Sequence, residues 1–138
     1  MIRDAALADA AALAPLLGAL GYPATAEEVS ARLQAMLRHG PAPLVWEDGG
    51  ALLGVLVWSV SPSLHRPGLV AGMSALVVSE AARGRGLGRA LVAEVEARAR
   101  ALGCGRMEVA SNMRREEAHR FYEGLGYERT SFKFARAL

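Results

Sequence analysis

The chain has 138 residues, 52% of them hydrophobic and 22% charged, with a formal net charge of +2. That length suits one domain, residues 1–138, built on one sizeable core, and the balance is that of an ordinary globular protein rather than a disordered or fibrous one. A surplus of two positive charges calls for neither nucleic acid nor an anionic membrane as a partner.

In chain order, "MIRDA" predicts a short first strand. From Asp9 to Leu20 the apolar residues Leu13, Leu16, Leu17 and Leu20 recur at i, i+3, i+4 and i+7, the signature of an amphipathic helix. Gly21 and Pro23 stop it. Thr25 with Glu28 three positions later forms a capping box and opens a second helix to about His39. "PLVWE" and "ALLGVLVWSVS" flank "DGG", a hairpin signal. The turn-rich "PSLHRPG" leads into a long strand, "LVAGMSALVVS". "RGRGLG" then opens a helix with Leu87, Leu91, Val95, Ala99 and Leu102 on one face, capped by Gly103. "RMEVAS" reads as a strand. "REEAHRFYEGL" is helical, with Ala118, Phe121, Tyr122 and Leu125 on one face, and "YERTSFKFARA" alternates like a terminal strand. The predicted order is β-α-α-β-β-β-α-β-α-β, an α/β fold with a mixed sheet and helices on its faces. Strand, helix and strand over residues 70–111 should form a right-handed crossover between parallel strands, the earlier strands being antiparallel.

No run of about 18 apolar residues exists, and "MIRDAALADA" lacks the parts of a signal peptide. The expectation is a cytoplasmic protein that does not enter a membrane. The single cysteine, Cys104, excludes an internal disulfide and reads as a small buried residue. No Cys/His cluster has zinc-ligand spacing, so no metal is expected.

The most informative stretch is "RGRGLGRAL", residues 83–91. Glycine is costly inside a helix, yet glycines let a phosphate approach the backbone with no Cβ in the way. Free N–H groups and the macrodipole at a helix start favour an anion, and Arg83, Arg85 and Arg89 add charge-assisted donors. A plain strand-to-helix turn with solvated arginines fits the same letters. Two other phosphate motifs fail. A P-loop needs Lys and Ser/Thr after its last glycine, where Arg89 and Ala90 stand. A Rossmann fingerprint begun at Gly84 and Gly86 needs a small residue where Arg89 stands, and it belongs early in a βαβ-built chain.

"RGRGLG" matches R/Q-x-x-G-x-G/A, and it resembles the pyrophosphate signature of the GNAT superfamily of acyl-CoA-dependent N-acetyltransferases. "AHRFYEGLGY" about thirty residues downstream is similar to that family's Tyr-bearing helix, and the element order agrees with its fold. The resemblance covers residues 69–130 closely and the earlier residues in architecture only. It implies acetyl-CoA as co-substrate and an amine of a small molecule, amino acid or peptide as acceptor. It implies that Arg83, Gly84, Arg85, Gly86, Leu87, Gly88 and Arg89 hold the pyrophosphate, Arg83 as the start of the signature. The pantetheine arm would pair with the backbone of Leu76, Val77 and Val78, and an N–H near Val78 would polarise the thioester carbonyl. Asn112 matches a position that bonds the CoA arm, though a loop-capping Asn reads equally well. Tyr122 matches the residue that protonates the departing sulfur, although its spacing is also that of a core aromatic.

The base is not assigned by this resemblance. Relatives carry acids just before the "LVV" segment, where Ser74 and Ala75 stand here. Glu47, Glu108 and His65 are substitutes, each with a structural alternative, and His119 reads as a packing or capping residue. The acceptor pocket is expected around Gly21, Tyr22, Trp58 and the "SPSLHRPG" turn. A direct reaction in a ternary complex is expected because no nucleophile stands out. The rival reading, supported by the missing acids, is a non-catalytic acyl-CoA sensor. The alternating terminal segment and Ala-rich helices are compatible with a homodimer, an assembly the resembled family often shows, and the letters do not fix the oligomeric state.

Overall fold

The computed structural model describes residues 1–111 and 114–138. Its elements are β1 (Ile2–Asp4), α1 (Ala10–Leu20), α2 (Ala26–His39), β2 (Leu44–Asp48), β3 (Ala51–Pro62), β4 (Leu69–Val78), α3 (Leu87–Ala101), β5 (Cys104–Val109) and α4 (Glu116–Gly124). Among the described residues the five strands form one sheet in the order β1-β2-β3-β4-β5. β1 to β4 are antiparallel neighbours, and β4 and β5 are parallel across the α3 crossover.

Local chemistry explains the boundaries. Gly21 ends α1 in the left-handed region at φ 105°, which L side chains avoid. At α2 the Glu28 N–H donates to Thr25 Oγ1 and the Thr25 N–H donates to Glu28 Oε1, both at 3.1 Å, which closes the capping box. The β2–β3 hairpin turns through Gly49 and Gly50 at φ 58° and 84°. Two positive φ values in a row are what a two-residue hairpin of this hand requires.

The sheet separates two apolar clusters. On one face Leu13, Leu16, Val29 and Leu33 of α1 and α2 pack on Val45, Val55 and Val77. On the other, Leu91, Val92, Val95 and Ala99 of α3 and Tyr122 of α4 pack on Leu44, Leu56, Trp58, Ala71 and Met73. Burial of eight essentially inaccessible aliphatic side chains, at about 1.5–3 kcal/mol each, is what fixes the helices to the sheet.

Four expectations change. The terminal strand is not formed: residues 128–138 are exposed and carry no strand pairing, with Phe132 and Phe134 77% and 93% accessible. Alternation marks two faces of a strand but supplies no neighbouring edge to bond with. Leu102 is 54% exposed because it lies past the last turn of α3, while Val92, beside Leu91, is buried instead. β5 begins at Cys104 and ends at Val109, and Cys104 itself is half-buried. No helix among the described residues is long and apolar enough to cross a membrane.

Candidate functional site

The site begins with how β4 ends. Its pairing with β5 runs from Leu69↔Cys104 to Met73↔Val109, and a last bond from the Ala110 N–H to the Met73 carbonyl closes the ladder at 3.3 Å. β4 then continues to Val78 beside β3 alone. Between these segments lies a bulge. Val57 pairs with Ala75 and Trp58 with Met73, so Ser74 is the extra residue, and a bulge of this kind bends its strand.

Beyond the bulge, alternate residues turn their backbone groups to opposite sides. The Ser79 N–H donates to the Leu53 carbonyl at 2.7 Å, so Ser79 and Val77 address β3. Leu76 and Val78 therefore present N–H and C=O on the side that β5 has left. Among the described residues no strand pairs with those groups, so register alone leaves a slot along this edge.

The turn that follows is shaped by glycine. After a single 3-10 turn at Glu80–Ala82, Gly84 and Gly86 take φ 79° and 80°, and Gly86 caps α3. Nothing among the described residues lies within 4 Å of where a Cβ at either position would stand, so the turn is an open cradle. The first N–H groups of α3, from Leu87 on, have no partner within the helix and point out of it. Arg83, Arg85 and Arg89 are exposed around the turn. Arg85 already has an acid beside it, Asp48 of the β2–β3 hairpin, at 3.6 Å.

Gly88 has a different role from its neighbours. A Cβ there would meet Phe121 Cζ at 3.5 Å and Leu76 Cδ2 at 3.8 Å, so α4 leans on the start of α3 and on the end of β4. Tyr122, the next residue on α4, is buried in the cluster beneath α3, with Phe121 and Tyr127 edge-on to its ring at 5.2 and 5.9 Å. Burial raises its phenol above the ordinary value, against an opposing pull from Arg115. Asn112 lies outside the described residues.

The substitutes for a base are not gathered at the slot. Glu47 accepts hydrogen bonds from Arg3 Nε and Nη2 at 3.0 and 3.2 Å, and these hold its carboxyl below the usual range. Glu108 is paired with Arg106 at 3.1 Å. His65 sits in the loop between Pro62 and Leu69, at the opposite end of β4 from Val78, about 30 Å away at 3.3 Å per residue. Cys104, paired with Leu69, is at that far end too.

What does border the bulge is a cavity of about 240 Å³. Its wall comes from the last turn of α2 and its exit (Met36, His39, Pro41), from residues 57–60 of β3, and from Ser74. Trp58 belongs to this wall, whereas Gly21, Tyr22 and residues 61–68 do not. His39 was not a sequence candidate, for it ends an ordinary amphipathic helix and stands in no motif.

Set beside known proteins, residues 11–127 match the acetyltransferase (GNAT) family model. Over 89 residues, 64% of this chain, the sequence is 34% identical to the aminoalkylphosphonate N-acetyltransferase of Salmonella typhimurium, and the match spans 58% of that protein's length. A solved protein of Agrobacterium tumefaciens strain C58 superposes with a TM-score of 0.89 at 26% identity, covering 100% of this chain and 99% of its own. Glucosamine-6-phosphate N-acetyltransferase of Arabidopsis thaliana shares the fold, with a TM-score of 0.84 at 22% identity over 99% of this chain and 97% of its own.

Proposed function

The chain belongs to the acetyltransferase (GNAT) family, and from that premise we propose that it moves an acetyl group from acetyl-CoA to a primary amine by direct attack. The acceptor is an amine of a small molecule, an amino acid or a peptide N-terminus; the Salmonella typhimurium relative is named for an aminoalkylphosphonate. The observation that carries the reading is the slot beside Leu76–Val78 opening onto the glycine turn at 84–89.

In this reading the amides of Gly84 to Arg89 hold the pyrophosphate, and the turn's two left-handed glycines aim them. Leu76 and Val78 bond the pantetheine arm as an added strand would. The Val78 N–H stabilises the oxyanion that forms when the amine attacks the thioester carbon. Tyr122 gives its proton to the sulfur as the C–S bond breaks. A phenol is protonated at neutral pH and can donate to the nascent thiolate as the sulfur departs. Cys104, on β5 opposite Leu69 at the far end of β4, is too distant from Val78 to carry a covalent acyl group. The second reading, an acyl-CoA sensor, is favoured by Ser74 and Ala75 standing where the family resemblance implies acids.

Thiol release from acetyl-CoA with a panel of amines, with CoA binding followed by calorimetry, separates the two. Turnover is the expected result, and CoA binding without turnover on any amine would favour the sensor. Tyr122→Phe should lower kcat about 100-fold with CoA affinity nearly unchanged. Full turnover in that variant would mean that another group protonates the sulfur.

A further inference from the structure

We infer that the cavity at the bulge of β4 takes the acceptor as a small amine carrying an apolar substituent, and that His39 is the base that removes its proton. This rests on the acetyl-transfer reading and names the acceptor end of that site.

Position comes first. Ser74 is both the bulged residue of β4 and part of the cavity wall. Two residues on, about 6–7 Å along the strand, Leu76 presents its main chain to the slot. An amine seated in the cavity is therefore within reach of an acyl group carried in the slot.

The wall then limits what can bind. Met36, Pro41, Val57, Trp58 and Val60 make it largely apolar, and His39 is the one titratable side chain among its described residues. Neither a carboxylate nor a guanidinium lines it. β3 and β4 bring only Ser59 and Ser74 as polar side chains, and Arg38, the neighbour of His39 in the last turn of α2, is not part of the wall. An anionic tail such as a phosphonate would lie there without the guanidinium or amide donors that such a group needs when it leaves water. A hydrocarbon tail meets matching surface.

The same wall supplies the missing base. Alkylamines are mostly protonated at neutral pH and cannot attack until the lone pair is free. Glu47 and Glu108 are held by arginines, and Ser74 and Ala75 cannot accept the proton as a carboxylate would. Imidazole is the side chain suited to proton acceptance near neutrality. The ammonium proton passes to a ring nitrogen of His39, the freed pair forms the C–N bond, and the C–S bond breaks. Sulfur takes the proton of Tyr122, which is restored from the second N–H of the nascent amide through solvent.

The test uses the full chain, wild type and His39→Gln, with 2-phenylethylamine, isopentylamine and aminomethylphosphonate as acceptors from about pH 6 to about pH 10. Both apolar amines should exceed aminomethylphosphonate in kcat/KM by about tenfold or more. His39→Gln should lower kcat about 100-fold near pH 7 while CoA affinity and thermal midpoint stay unchanged. The gap should close towards pH 10, where solvent alone supplies free amine. Equal or better turnover of aminomethylphosphonate, or turnover of none of the three by a protein that binds CoA, overturns the acceptor class. A variant with wild-type kcat and pH profile overturns the base. Failure to bind CoA at all takes down the acetyl-transfer reading itself.

Discussion

The two ends of the site on β4 are built on opposite plans. At the Val78 end the proposed working parts are main-chain groups: N–H groups aimed by register and by two left-handed glycines, contiguous in the chain from Leu76 to Arg89. At the Ser74 end they are side chains gathered from α2, β3 and β4, residues nearly forty positions apart. A site made of backbone tolerates many side chains but few conformations, so it marks the sequence with glycine. A site made of side chains from distant elements tolerates many backbones and leaves no contiguous trace.

If the Val78 end works through conformation, Gly86→Val should do the greatest damage. A β-branched residue is strained at φ 80°, and the turn can relieve the strain only by re-aiming its amides. Loss of two charge-assisted bonds at about 1.5–3 kcal/mol each predicts a fall in CoA affinity of 100-fold or more, read by calorimetry. The clusters on either side of the sheet do not include the turn, so the far-ultraviolet spectrum should be unchanged. Wild-type affinity in this variant would remove the turn from the binding site. Gly88→Ala is the contrasting control: its φ is not left-handed and the new methyl meets Phe121 at an ordinary van der Waals distance.

The same division explains how far the letters could be read. The capping box at Thr25 and Glu28, the "DGG" hairpin and the α3 face from Leu87 to Ala99 are local, and each forms as its spacing indicates. The slot was legible only through the "LVV" segment and its resemblance, because the bulge at Ser74 is a mismatch between two strands and no single strand records it. The terminal segment failed for a related reason, since Phe132 and Phe134 alternate without an edge to join. His39 went unseen because a helix-ending histidine acquires a neighbour only when Ser74 and Trp58 arrive from elsewhere in the chain.

A polar cluster that ties β1 to its neighbours supplies the control for both ends. Arg3 donates to both oxygens of Asp9 at 2.8 and 2.9 Å and to both of Glu47, tying β1 to the turn before α1 and to β2. Arg3→Leu should cost about 1–2 kcal/mol at neutral pH, counting the Arg3–Asp9 fork alone and allowing for its partial exposure. Arg3 lowers the folded-state pKa of Asp9. The associated stability is therefore present above the unfolded value, near 3.9, and is lost as pH falls through the lowered folded one. The difference between the two proteins in denaturant midpoint should accordingly shrink at about pH 3. Turnover by the folded variant should match wild type. A change in its pH–rate profile would mean that the released Glu47 reaches the reacting amine, and the separation of site from scaffold would fail.

The smallest effect belongs to Asp48, the hairpin acid beside Arg85 of the turn. Asp48 stands 3.6 Å from Arg85, both half or more exposed, so the pair adds little to stability. Its charge matters more to the ligand. A carboxylate about 8 Å from a bound pyrophosphate repels it by roughly 0.5 kcal/mol in water, and it also occupies a guanidinium that the pyrophosphate would otherwise attract. Asp48→Asn keeps the hairpin's shape while removing the charge, and CoA should bind about twofold tighter at low salt. The advantage should fade at about 1 M salt, where screening sets in within about 3 Å. A twofold loss instead would mean that Asp48 orients Arg85 towards the turn, making the side chain rather than the backbone the determinant there. Insensitivity to salt would point to altered hairpin geometry. The sign and salt dependence of this one variant thus decide whether the Val78 end recognises its anion through the main chain alone.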